Sequence, residues 1–221
     1  MKKLSIIAAL VLTVSLLGGC GTKFDAAAYT KALLDNSYKN DSTDFVAMKI
    51  GTAEEAADLY EQGLDAEVNV MLASAGSVTS EQEEKFRQVF ANILKGAKYT
   101  VGEAEKQDDK SYVVTISYEQ MQVFTPAIEA YMADVTDMAT VWSEAAAAGG
   151  DIPSEDEMTN AIIESLLKSL EDAYPNATYG DTQTATVRIE LINNVYTPNT
   201  SDIANLEAVL FDIQDATKLL Q

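Results

Sequence analysis

The stretch YTVGEAEKQDDKSYVVTISY, residues 99–118, decides the fold. In its second half Tyr112, Val114, Ile116 and Tyr118 alternate with Val113, Thr115 and Ser117, so an extended strand would have one face more apolar than the other. Tyr99 to Glu105 is a second extended run, and Lys106-Gln107-Asp108-Asp109-Lys110 between them has turn composition. Together they predict an antiparallel hairpin. Further on, Ala185, Val187, Ile189 and Leu191 alternate with Thr184, Thr186, Arg188 and Glu190. Asn193-Asn194 then reads as a turn, with Val195-Tyr196-Thr197 a short returning strand. One dry and one wet face per strand is the pattern of an antiparallel sheet covered by helices on one side.

Around these strands the helix starts are legible. Asp25 can cap a helix running to about Tyr38. Thr52-Ala53-Glu54-Glu55, Ser80-Glu81-Gln82-Glu83 and Ser154-Glu155-Asp156-Glu157 read as capping boxes. Thr125-Pro126 sets a capping hydroxyl before a proline in the first turn, and Ser201-Asp202 can open the last helix. The spacing predicts helices near 25–38, 53–74, 81–95, 126–147, 155–173 and 202–219. The fourth carries Ile128, Tyr131, Val135, Met138, Trp142 and Ala145 at helical spacing, and the last carries Ile203, Leu206, Leu210, Ile213 and Leu220. Both stripes are expected to be core. The fold class is therefore α+β: about six helices on one curved antiparallel sheet of three to four strands. A single domain over residues 24–221 is expected, with AAAAGGDIP at 145–153 as its candidate hinge. A faint echo links Ala97-Lys98-Tyr99, Val114 to Tyr118 and Phe124-Thr125-Pro126 with Ala177-Thr178-Tyr179, Val187 to Leu191 and Tyr196-Thr197-Pro198. Chance and an internal duplication both account for it.

Composition excludes several functions. The 221 residues hold 15 Lys plus Arg against 35 Asp plus Glu, no histidine and one cysteine, for a net charge of -20. A 47% hydrophobic content supports a real core. Without histidine there is no imidazole base and no His-ligated zinc. A single cysteine makes no internal disulfide, and the charge opposes nucleic-acid binding.

That cysteine directs the reading of the first 20 residues. Lys2 and Lys3 precede an apolar run from Ile6 to Leu17, too short to span a bilayer, which ends in Leu17-Gly18-Gly19-Cys20. The segment resembles a lipobox, the recognition sequence of the bacterial lipoprotein signal peptidase: Leu17 lies three residues before the cysteine and two small residues, Gly18 and Gly19, precede it. The resemblance implies removal of residues 1–19, a thioether-linked diacylglycerol on Cys20, and a short tether over 20–23. Loss of 19 residues, including Lys2 and Lys3, would leave 202 residues and take the charge from -20 to -22. Two acyl chains anchor stably. The expected location is the extracytoplasmic face of the cell membrane, held through the diacylglyceryl-cysteine.

A second resemblance covers Phe24 to Glu67. Tyr29, Leu34-Asp35, Tyr38-Lys39, Asp41, Thr52-Ala53-Glu54-Glu55-Ala56, Tyr60-Glu61 and Asp65 are similar to the opening of small uncharacterised lipoproteins from low-GC Gram-positive bacteria. It implies helices followed by a curved antiparallel sheet, cystatin-like or shaped like the nuclear-transport-factor cone, with no catalytic signature to carry over.

Residue by residue, no catalytic, metal or cofactor site is expected. Thirty-five acids produce carboxylate pairs such as Glu54/Glu55, Glu83/Glu84, Asp108/Asp109, Asp134/Asp137 and Glu155/Asp156/Glu157 by chance, and Asp108-Asp109 in a hairpin turn and Glu155 to Glu157 in a helix's first turn have structural reasons of their own. No D-x-[DN]-x-[DN]-G loop, phosphate-binding loop or nucleophile elbow occurs. Tyr99, Tyr112, Tyr118, Tyr174, Tyr179 and Tyr196 cluster around the sheet and either pack it or line a cleft. Residues 20–50 are neutral, with four lysines against four aspartates, which suggests that the first helix faces the membrane while the acidic remainder is repelled. The expected function is a non-enzymatic binding or interaction module with an envelope protein or peptide as partner. The alternative is a solute- or ion-binding lipoprotein serving a transporter.

Overall fold

The computed structural model describes residues 24–73 and 78–219. Within them the chain forms α1 (Ala26–Lys39), α2 (Thr43–Ala47), α3 (Ala53–Leu72), α4 (Ser80–Lys95), β1 (Lys98–Lys106), β2 (Tyr112–Gln122), α5 (Phe124–Ala147) and α6 (Glu155–Ala173). A 3-10 turn at Tyr174–Asn176 leads into β3 (Thr178–Ile192), β4 (Val195–Pro198), α7 (Thr200–Leu210) and α8 (Ile213–Leu219). The four strands make one antiparallel sheet in the order β1-β2-β3-β4. The α+β class, the four strands and both turns are as expected. Asn193 and Asn194 take positive φ, the conformation a two-residue hairpin turn requires.

The sheet has the two-faced character that its alternation implies. Tyr112, Val114, Ile116 and Tyr118 of β2 and Val187 and Ile189 of β3 are buried. On the opposite face Thr100, Thr115, Thr182, Thr184 and Thr186 are exposed. Helix α1 lies along the dry face and is buried over ten of its fourteen residues, because Tyr29, Leu33, Leu34 and Tyr38 meet strands on one side and helices on the other. It is the central helix of the domain, which corrects the idea that it presents a face to the membrane. Its exposed Lys31 and Lys39 are tied to Asp35, and Lys31 also to Asp44. Arg87 of α4 binds Glu61 and Asp65 of α3, joining those two helices at the surface.

Three further differences have physical causes. The capping box expected at Ser80 sits one residue earlier, where Thr79 and Gln82 bond reciprocally. Those at Thr52–Glu55 and Ser154–Glu157 form as read. The helix expected over 202–219 is two helices broken at Asp212, whose φ is +48°. Asp212 is fully buried, and its carboxylate accepts hydrogen bonds from the backbone N–H groups of Val123 (3.2 Å), Phe124 (2.8 Å) and Thr125 (2.9 Å). These are orphan donors at the start of α5, so an acid from 87 residues away does the work expected of the Thr125 hydroxyl. The break aims that carboxylate and lets α8 turn against α5. Third, the α5 stripe is not core. Only Phe124, Ala127 and Ile128 in the first turns are buried, while Tyr131, Val135, Met138, Trp142 and Ala145 are half-buried.

The candidate hinge at 145–153 is the connection of the α5–α6 helical hairpin. Gly150 N–H bonds to Ala145 O and Gly149 N–H to Ala146 O, with Gly149 at φ +72°, closing α5 in a Schellman motif. The echoed segments occupy different elements: the first copy spreads over β1 and β2, whereas Tyr179 and Val187 to Leu191 share the single strand β3.

Candidate functional site

Cys20, the expected lipid-attachment residue, and Leu17, Gly18 and Gly19, the expected signal-peptidase recognition residues, lie outside the described residues, as do the rest of 1–19 and the tether. The described residues start at Phe24. Phe24 stacks on Tyr196 (centroids 3.8 Å apart, planes 7° apart) and meets Tyr29 and Tyr112 at 5.3 and 5.5 Å. Tyr29 donates its hydroxyl hydrogen to Tyr196 O at 2.9 Å. This aromatic knot closes one end of the sheet. Register puts both hairpin turns at that end, since Tyr112 pairs with Lys106 and with Ile189, and Leu191 with Tyr196. A tether leaving Phe24 therefore leaves beside the turns at 107–111 and 193–194. The α5–α6 hairpin is rooted at the other end, where Gln122 pairs with Thr178.

Buried acids form the unusual chemistry of the core. Glu67 of α3 and Glu207 of α7 are each 6% exposed. Burial drives both carboxyls upward, Glu67 to about 7, and Glu207 is raised further by the neighbouring Glu67 charge. Glu67 Oε1 has no hydrogen-bond partner. Both acids bear on Tyr38, whose ring packs edge-on against Tyr99 and Phe211 and whose hydroxyl burial also pushes up. The adjoining cavity, bounded by Tyr38, Ser37, Thr30, Ile203 and Glu207, measures about 10 Å³, room for one water and no organic ligand. Sequence reasoning missed this pair. The signal was present: Glu67 continues the Tyr60, Leu64 stripe, and Glu207 sits beside Leu206 between Ile203 and Leu210, where an apolar residue is the rule.

Asp35 is a further buried acid, of the opposite character. Burial raises its carboxyl, but hydrogen bonds from Lys31 (2.7 Å), Lys39 (2.8 Å) and the Tyr99 hydroxyl (2.6 Å) more than reverse that and hold it below the usual range. The result is a satisfied structural hub that pins α1 to β1, with Lys39 also lying over the Tyr99 ring at 4.3 Å.

The carboxylate pairs singled out in the sequence are not brought together across a cleft. Glu55 and Glu157 close capping boxes, Asp109 accepts from Ser111 N–H and hydroxyl within the β1–β2 turn, and Asp134 accepts from the Ser165 hydroxyl at 2.5 Å. Among the described residues no three Asp, Glu, Cys or His side chains converge as a metal site. The tyrosines chiefly pack the sheet. Tyr112 and Tyr118 are buried, Tyr99, Tyr174, Tyr179 and Tyr196 pack half-buried against the core, and Tyr179 donates to Gly96 O at 2.8 Å. Tyr99 and Tyr118 do contribute to an open groove of about 280 Å³ at the β1–β2 pair, lined with them by Ala97, Lys98, Thr100, Ser117, Glu119 and Thr182. No helix among the described residues is long and apolar enough to cross a membrane.

The remaining surface of note is the α5–α6 hairpin. Met132, Val141 and Ile152 are 42%, 60% and 51% exposed there, flanking the half-buried Tyr131, Val135, Met138 and Trp142.

No family model matches the chain, and no curated protein matches it. Among solved structures it is similar to the crystal structure of ycdA, a candidate lipoprotein from Bacillus subtilis subsp. subtilis strain 168, with a TM-score of 0.51 and 12% sequence identity. The match covers 85% of this chain and 55% of that one, so the chain spans about half the length of its structural neighbour. At that identity the similarity speaks for a shared α+β fold.

Proposed function

We propose that this chain is a lipid-anchored extracytoplasmic lipoprotein whose folded part is a non-enzymatic interaction module for an envelope protein or peptide. The observation that carries the anchoring is the sequence Leu17-Gly18-Gly19-Cys20 behind a charged start and an apolar run, with the only cysteine of 221 residues at the position that lipid attachment requires. Two features support it. Phe24, four residues beyond Cys20, stacks on Tyr196, so the folded part lies within a few residues of the attachment point. The structural neighbour from a low-GC Gram-positive bacterium is itself described as a candidate lipoprotein. For the module, the support is that the sequence-singled carboxylates serve as caps, turns and helix links, whereas the α5–α6 hairpin leaves apolar side chains in solvent.

The test is fractionation of cells expressing the wild-type chain or Cys20→Ser. The wild type is expected in the membrane pellet, resistant to a high-salt wash and digestible by protease added to intact protoplasts. The serine variant is expected in the medium or unprocessed. Equal distribution of the two, or protection of the wild type from external protease, would overturn the anchoring. Crosslinking on intact cells, followed by capture of the wild-type chain, tests the module, and recovery of uncrosslinked protein alone would count against it.

A further inference from the structure

We propose that the α5–α6 hairpin is the docking surface of the module and that its occupant is a cationic amphipathic helix. The partner would lie along Tyr131, Val135, Met138 and Trp142 and complete a three-helix bundle. This rests on the interaction-module reading above and names its partner chemistry.

The first ground is the width of the apolar face. At 100° per residue, Val141, Met138, Tyr131, Trp142, Val135 and Met132 fall within about half the circumference of α5. One packed helix covers a stripe of about 100°. Helix α6 takes part of the face, with the Asp134–Ser165 bond between the two helices, and the short α8 also packs against α5. The uncovered remainder is visible in the 42% and 60% exposure of Met132 and Val141 at its two borders. Beyond Ile128, not one residue of α5 is fully buried over about five turns.

Charge selects the occupant. From Phe124 to Leu167 there are nine acids (Glu129, Asp134, Asp137, Glu144, Asp151, Glu155, Asp156, Glu157 and Glu164) and no lysine or arginine. A second copy of the chain and an anionic membrane would bring the same sign to the surface and be repelled. A helix with basic residues flanking an apolar stripe would meet complementary charge at its rim and apolar side chains at its centre. Position agrees, because the hairpin is rooted at the end of the sheet opposite Phe24.

Trp142, the only tryptophan, lies on the seam and reports on its cover. The experiment uses the mature chain with Cys20→Ser and a synthetic leucine–lysine amphipathic helix of about 18 residues, which at 1.5 Å per residue runs most of the exposed length of α5. Expected is a saturable one-to-one blue shift of Trp142 emission, weakened at about 0.5 M salt, where the screening length falls to a few Å. Met132→Glu with Val141→Glu, at exposed positions that leave the fold intact by circular dichroism, should weaken binding about tenfold or more. Asp137→Lys with Glu144→Lys should shift preference toward the leucine–glutamate counterpart. The proposal is overturned if the lysine peptide leaves Trp142 unmoved, if the glutamate peptide binds the wild type equally well, or if the glutamate variants bind like wild type. It is also overturned if sedimentation shows that the chain alone dimerises through this seam. A silent Trp142 beside a captured partner would reject this surface and keep the module; neither result would reject both.

Discussion

Replacing Glu67 with methionine is expected to stabilise the protein at pH 8 and to leave its stability near pH 4.5 almost unchanged. A glutamate ordinarily titrates near 4.5, as Glu67 does in the unfolded chain, and burial pushes it up to about 7 in the folded one. Between those values the native state binds a proton that the unfolded state does not, so stability falls as pH rises. The loss is complete above the folded value. At 1.36 kcal/mol per pKa unit, a rise from 4.5 to about 7 corresponds to about 3 kcal/mol of stability absent at pH 8 and present at pH 4.5. Methionine keeps the unbranched shape, removes the ionisable group and removes the partnerless Oε1. For a domain of this size, about 3 kcal/mol is about 6–12 °C in Tm. The assay is urea unfolding of wild type and Glu67→Met across pH 4.5 to 8, followed as the difference between them, which cancels the general repulsion among the surface acids. Glu207→Met should act in the same direction, since its carboxyl is also raised by burial and by Glu67. A Glu67→Met penalty that is constant across the pH range would refute a shifted proton at this site.

Three other outcomes follow from the packing. Asp212→Ala removes the acceptor for three backbone donors at the start of α5 and should cost about 3 kcal/mol by urea unfolding, with Asp212→Asn recovering part of it; a loss below about 0.5 kcal/mol would mean that water caps α5 equally well. Asp35 works in the opposite pH window from Glu67: its carboxyl is held low, so its contribution is present above the unfolded carboxylate value and fades as pH falls through the folded one. Asp35→Asn should therefore flatten the acid limb of the stability curve, and an unchanged limb would contradict the hub. Phe24→Ala should cost about 2 kcal/mol through the lost stack on Tyr196 and, measured by proteolysis, should loosen the first turn of α1; unchanged protection would contradict the aromatic knot.

The parts of this fold visible in the sequence are those set by local chemistry. Alternation in 112–118 and 184–191 marks strands β2 and β3, and the Thr52–Glu55 and Ser154–Glu157 boxes mark two helix starts, because in each the deciding pattern lies within a few residues. What stayed hidden depends on partners distant in the chain. The break at Asp212 follows from donors at Val123 to Thr125, invisible to any window around 202–219. The Tyr131–Trp142 stripe has the period of a buried helix, yet periodicity says which face is apolar and not whether enough neighbours exist to cover it. Glu67 and Glu207 sit at apolar-stripe positions in the sequence, but only the packing of α3 and α7 shows that both are buried and close enough to act on each other. Clustering of tyrosines in the sequence does not separate packing from cleft lining; register turns Tyr112 and Tyr118 inward, and only the packed ends of β1 and β2 leave Tyr99 and Tyr118 at the side of a groove.

The anchoring claim is tested most directly by the mass of the N-terminal peptide of the protein extracted from membranes with detergent. The expected peptide begins at Cys20 and carries a diacylglycerol thioether, with residues 1–19 absent. A chain that still begins at Met1 with an unmodified Cys20, or one cleaved elsewhere and recovered without lipid, would contradict it.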